Sequence, residues 1–252
     1  SANPPQSALT RYFNFVSELY RRGDCALAVI AGNHDSAAQL ESPKQVLQAL
    51  NTHVRGYLAE KPEDRILYLP SEKDPKVTIA MMPFLRDRDL RVGKAGESSE
   101  EIKDKLVEGI RKRYQESGDT IKKANCPSIA TGHLTVVNLK KSDSEREIHI
   151  GGLGAVGPDS FPEVFSYVAL GHLHRPQTSG NNDRLRYSGS PIPLSFSEAD
   201  DQKEVRILDV TKGGITNYGL PIPLFRRLVQ LTTKKADIED TIGKFSPDTS
   251  EL

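Results

Sequence analysis

The chain has 252 residues, 37% of them hydrophobic, and its 34 Lys and Arg are matched by 34 Asp and Glu, so its formal charge is zero. With 19 Gly and 16 Pro it has an ordinary globular composition, which excludes collagen-like and disordered classes and leaves enough chain for a sizeable core. Zero net charge removes any bulk attraction to nucleic acid or membrane, so a DNA partner would need a local site.

In chain order, Pro4-Pro5 and Ser7 open a helix, with Leu9, Phe13, Val16 and Tyr20 at helical spacing and Gly23 at its end. Cys25–Ala31 is a continuous apolar run that reads as a strand buried on both faces. A helix over Ser42–Leu50 follows, with Ser42 placed to cap it and Pro43 suited to its first position. Strands are expected at Ile66–Leu69 and Val77–Met82. Ser98 and Glu101 form a capping box for a long helix whose stripe is Ile102, Leu106, Ile110 and Tyr114, ending before Gly118. Its outer Arg111-Lys112-Arg113 reads as a solvated face.

Short strands then dominate: Ser128–Thr131, Glu147–Ile150, Tyr167–Leu170, Leu185–Tyr187, Val205–Val210, Ile215–Tyr218 and Leu228–Thr232. Early alternation of strands and helices, followed by strands alone, predicts a mixed-sheet α/β core that closes in antiparallel fashion. The two cysteines, Cys25 and Cys126, sit in apolar segments without a C-x-x-C motif and read as buried free thiols of a reducing compartment. No apolar run reaches the length needed to span a bilayer, and the opening Ser-Ala-Asn-Pro-Pro-Gln does not read as a signal peptide. The expected location is cytoplasmic.

Three segments place metal-competent side chains directly after an apolar strand: Gly32-Asn33-His34-Asp35, Gly132-His133 and Gly171-His172-Leu173-His174. In α/β sheets the carboxyl ends of strands are where ligands bind, and a glycine there lets the backbone turn sharply. One histidine after a strand is usually a hydrogen-bonded structural residue, and His53 and His149 are read that way. The three segments together are read as a metal site, whose imidazole and amide donors suit manganese, zinc or iron better than calcium. A two-metal site would also need a bridging carboxylate, and no strand-ended Asp motif supplies one.

These motifs resemble the later motifs of the calcineurin-like metallophosphoesterases. Ala31–Ser36, Pro83–Asp89, Ala130–Thr135, Ala169–Arg175 and Tyr187–Phe196 narrow the resemblance to the SbcD-type nuclease subunits. It runs over most of the chain to about Phe225. The first two motifs of the family, Asp-x-His and Gly-Asp-x-x-Asp, have no counterpart here, so the chain is read as a fragment. Residues 1–223 would be an N-terminally incomplete nuclease core, and 224–252 the beginning of a C-terminal capping domain. The resemblance implies an α/β sandwich in which Asn33, His133 and His172 hold one divalent ion and His174 the other, both manganese.

His34 would stabilise the transition state at the scissile phosphate, or protonate the leaving oxygen, during in-line attack by an activated water. Asp35 would either orient His34 or cap the next turn. The implied function is a DNA nuclease subunit, exonuclease on duplex ends and endonuclease on single strands and hairpins. It would work with an SbcC-like SMC-type ATPase as a homodimer in a heteromeric complex, with no membrane contact. A phosphatase or small-molecule phosphodiesterase would share the metal motifs, and an inactive chain serving only as a binding platform stays open while carboxylates are lacking.

Overall fold

The computed structural model describes residues 2–23, 25–137, 139–143, 155–179, 182–225 and 227–244. Helix α1 (Gln6–Arg22) ends at Gly23, as its pattern predicts, and leads into strand β1 (Leu27–Ile30). Helices α2 (Ala37–Glu41) and α3 (Lys44–Ala49) come next, then β2 (Thr52–Arg55). Two helices stand where the pattern predicts one. Ser36 caps the first through its side chain, and Ser42 lies at the junction, ending α2 while Pro43 begins α3.

The pair β1–β2 is parallel and forms a sheet of its own. With only β2 beside it, β1 leaves Ala28 exposed, so the Cys25–Ala31 run is not buried on both faces. Both thiols are free, but Cys25 is exposed and Cys126 half-buried, which corrects the expectation that they are core residues. Val16, Leu47 and Val54 form the small core of this layer.

The large sheet is built from β3 (Ile66–Leu69), β4 (Val77–Ala80), β5 (Ser128–His133), β6 (Tyr167–Gly171), β7 (Gln177–Ser179) and β8 (Asn182–Tyr187). Its order is β3-β4-β5-β6-β8-β7. The run β4-β5-β6-β8 is parallel, and an antiparallel strand closes each edge. The fold is therefore mixed α/β, as expected. Between β4 and β5 lie α4 (Asp87–Leu90) and α5 (Ser99–Ile121). Ser98 and Glu101 make the expected capping box on α5. Leu106, Ile110 and Tyr114 of its stripe are fully buried with Phe165, Val168 and Tyr187 in the main core. The helix continues through Gly118, where the missing side chain leaves room for Val164 to pack. Lys112 is exposed, whereas Arg111 and Arg113 are half-buried and paired, with Asp159 and Glu116 respectively, so the face is only partly solvated.

An antiparallel hairpin of β9 (Glu204–Thr211) and β10 (Gly214–Pro221) follows, and α6 (Ile238–Lys244) is the last described helix. Leu228–Thr232 is not a strand: among the described residues it pairs with no other strand. The expected strand at Glu147–Ile150, with His149, lies outside the described residues. Among the described residues no helix is long and apolar enough to cross a membrane.

One buried cation ties these layers together. Arg65, only 1% exposed, donates to the carbonyls of Ala59 and Glu60 and to Glu116 of α5 at 2.9 Å. Replacing it removes the donor to the Ala59 and Glu60 carbonyls and leaves Glu116 with Arg113 alone, and a buried acceptor left unpaired costs about 1–3 kcal/mol. Arg65→Met is expected to lower unfolding free energy by about 3 kcal/mol in denaturant titration. A change below about 0.5 kcal/mol would show that the guanidinium is dispensable.

Candidate metal centre

The parallel register sets β5 and β6 level, pairing His133 with Gly171. Chain direction then delivers His133 and His172 to the same end of the sheet. The loop after β1 reaches that end from the smaller layer. Its anchor is Phe84, which follows β4: its N–H donates to the Ala31 carbonyl at 2.8 Å, and its ring meets His133 edge-on.

The His133 ring lies in a slot between two glycines. A Cβ on Gly32 would sit 2.7 Å from its Cε1, and one on Gly171 would sit 3.0 Å from its Nδ1. Within the slot, Nε2 of His133 lies 2.9 Å from Oδ1 of Asn33. The His172 ring stands 5.5 Å away, centroid to centroid. His172 adopts φ 101°, a conformation that a side-chain-bearing residue enters only at a cost, and only when its surroundings hold it there. Asn33, His133 and His172 are thus brought together as the motifs predict.

His174 follows two residues on, half-buried, and is near enough to the His133 and His172 rings to couple electrostatically with both, as is exposed His34. Of the two roles expected of Asp35, capping falls instead to Ser36. The Asp35 carboxylate accepts from the Gly32 N–H at 2.8 Å, closing the loop. His53 is on β2, away from the site, where burial and Arg55 lower its pKa.

Burial lowers His133 from the ordinary 6.5 to about 4; Asp35 opposes the shift, and the charges of His34 and His174 add to it. Burial also lowers His172 to about 4, with His133, His174, Lys141 and His34 contributing. At neutral pH both imidazoles are uncharged and keep a lone pair. One amide oxygen and neutral imidazoles are a donor set that fits a borderline divalent cation. Among the described residues no group of three or more His, Cys, Asp or Glu gathers as a metal-binding cluster, and no carboxylate bridges the imidazoles.

Two residues without a sequence signal stand behind His174. Glu198 and Lys203 are both fully buried, and their ion pair is 2.7 Å long.

No family model matches the chain. Among curated relatives, it is 38% identical over 230 residues to the SbcD subunit of the SbcCD nuclease of Escherichia coli, an alignment covering 88% of this chain and 56% of that one. It is 35% identical over 249 residues to the protein of the same name from Rhodobacter capsulatus, covering 91% and 60%. To that of Bacillus subtilis it is 33% identical over 215 residues, covering 84% and 54%. The chain belongs to the SbcD-like family of metallophosphoesterase type. It spans a little over half the length of the SbcD relatives it matches.

The depressed imidazoles have a pH signature. Their folded-state pKa values lie below the ordinary value, so between about 4 and 6.5 the unfolded chain binds more protons. The stability they confer is present above pH 6.5 and lost as pH falls towards 4. In the metal-free chain, the ring-proton shifts of His133 and His172 are expected to titrate near 4. Midpoints near 6.5 would mean that the two rings are solvated.

Proposed function

We propose that this chain carries part of the catalytic site of a metal-dependent DNA nuclease subunit. The observation that carries the reading is the convergence of Asn33, His133 and His172 at the carboxyl ends of three strands, in a chain 38% identical to a relative named as the SbcD subunit of the SbcCD nuclease. In this reading Asn33, His133 and His172 hold one ion and His174 another, both Mn²⁺. Such ions lower the pKa of water and offset charge on the attacking and leaving oxygens.

The chain's own residues set the rest of the chemistry. Burial keeps His133 and His172 neutral, hence able to donate lone pairs. His34, exposed on the loop beside them, is placed to meet a phosphate oxygen and either stabilise its charge or protonate the leaving group. The names of the relatives support a nucleic acid as substrate and a second subunit as partner, which we read as DNA and an SbcC-like SMC-type ATPase. We further read the protein as a cytoplasmic homodimer within that complex, acting in DNA repair, recombination and replication, with residues 1–223 as the core and 224–252 as the start of a capping domain.

Two outcomes test this. In a chain of the relatives' full length, His34→Ala should reduce manganese-dependent cleavage of linear duplex and hairpin DNA by about 10²–10³-fold, the usual loss for one transition-state group, with Mn²⁺ occupancy retained. Loss of occupancy along with activity would make His34 a ligand. The 252-residue chain, whose proposed donors are one amide and three imidazoles with no carboxylate among them, should bind Mn²⁺ weakly and cleave little, since two cations close together would repel uncompensated. Robust cleavage by this chain, lost in His172→Ala, would show that the donors present suffice.

A further inference from the structure

Behind His174 lies a buried polar network that the motifs do not announce. Glu198 follows Phe196 at the end of the Gly189–Phe196 segment and is fully buried. Its Oε1 lies 3.3 Å from Nδ1 of His174 and accepts from Ser142 Oγ at 2.8 Å. Its Oε2 accepts from Lys203 Nζ at 2.7 Å, and the Leu194 N–H donates to the same oxygen at 3.3 Å. Lys203, also fully buried, donates a second hydrogen bond to the His174 carbonyl at 2.9 Å. The Ser190 N–H donates to that carbonyl at 3.0 Å. Gly189 makes the approach feasible: it has φ 81°, and a Cβ there would lie 2.6 Å from the same carbonyl.

We propose that Glu198, held by Lys203, is a positioning residue that fixes the tautomer and orientation of His174. The inference rests on His174 being a metal ligand only for its consequence, not for its chemistry. A lysine ammonium has protons to give and none to take, so the oxygen facing it is ionised and can only accept. With a backbone N–H directed at the same oxygen, the carboxylate offers no proton to His174. Nδ1 must then carry the hydrogen in that contact, and Nε2 is left with its lone pair as the donor atom. Carboxylate partners of this kind typically raise the basicity of the ligating nitrogen, and their loss costs 10–100-fold in metal affinity. On this reading the Gly189–Phe196 segment serves as the support of a ligand.

The test uses two measurements on this chain. Long-range ¹H–¹⁵N spectra of the metal-free protein, with His174→Gln to assign the resonance, should show His174 as the Nδ1–H tautomer. An Nε2–H tautomer would overturn the proposal. The second measurement titrates Mn²⁺ into the wild type and into the double variant Glu198→Leu/Lys203→Met, which removes both charges together so that neither is stranded in the interior. The expected result is 10–100-fold weaker binding with an unfolding midpoint close to wild type. Equal affinity would overturn the positioning role. If the double variant does not fold, the wild-type tautomer still decides. A wild type with the Nδ1–H tautomer but no Mn²⁺ affinity would sustain the role of Glu198 and defeat the metal reading alone.

Discussion

The slot that holds the His133 ring is the constraint on which the site depends. The imidazole packs against Gly32 and Gly171 in the space that a side chain on either would take, because a Cβ on either glycine would press into it. That confinement aims Nε2 at Asn33, and it sets the distance to His172 through the level pairing of β5 with β6. Fixed placement matters more than donor identity, since a ligand held loosely loses the advantage of being preorganised. The strained backbone at His172 belongs to the same economy of space, for it turns the chain back immediately after β6.

Burial does two opposite things within a few residues. Around His133 and His172 it strips charge, leaving neutral rings whose lone pairs are available. Behind His174 it encloses a full ion pair, which the interior tolerates because Glu198 and Lys203 are 2.7 Å apart and each has further hydrogen-bond partners. Phe84 works between these two zones without any polar role, closing one wall of the slot with its ring and joining the smaller layer to the larger with its backbone.

Much of this is legible in the residue pattern, for identifiable reasons. The three Gly-led motifs follow apolar runs, and parallel strands point their ends the same way, so Asn33, His133 and His172 group together from the sequence alone. The α5 capping box is equally plain. Glu198 and Lys203 cannot be found in this way. They lie in Ser-Glu-Ala-Asp-Asp-Gln-Lys-Glu, a stretch that reads as solvated loop, and only tertiary enclosure buries them. Periodicity fails too at β1, where an apolar run has one neighbour and an open face. Gly118 reads as a stop because local propensity cannot see Val164 arriving from another part of the chain.

The division into two hydrogen-bonded layers has a consequence for how the site comes apart. Asn33 and His34 ride on the β1–β2 layer, whose fully buried cluster among the described residues is Val16, Leu47 and Val54, whereas His133 and His172 extend from strands packed on the larger main core. Local opening free energies follow such differences in packing. Amide exchange should therefore divide the pocket along a seam: the turn bearing the carboxamide and the exposed imidazole detaches as one piece, while the buried imidazoles stay in register behind it.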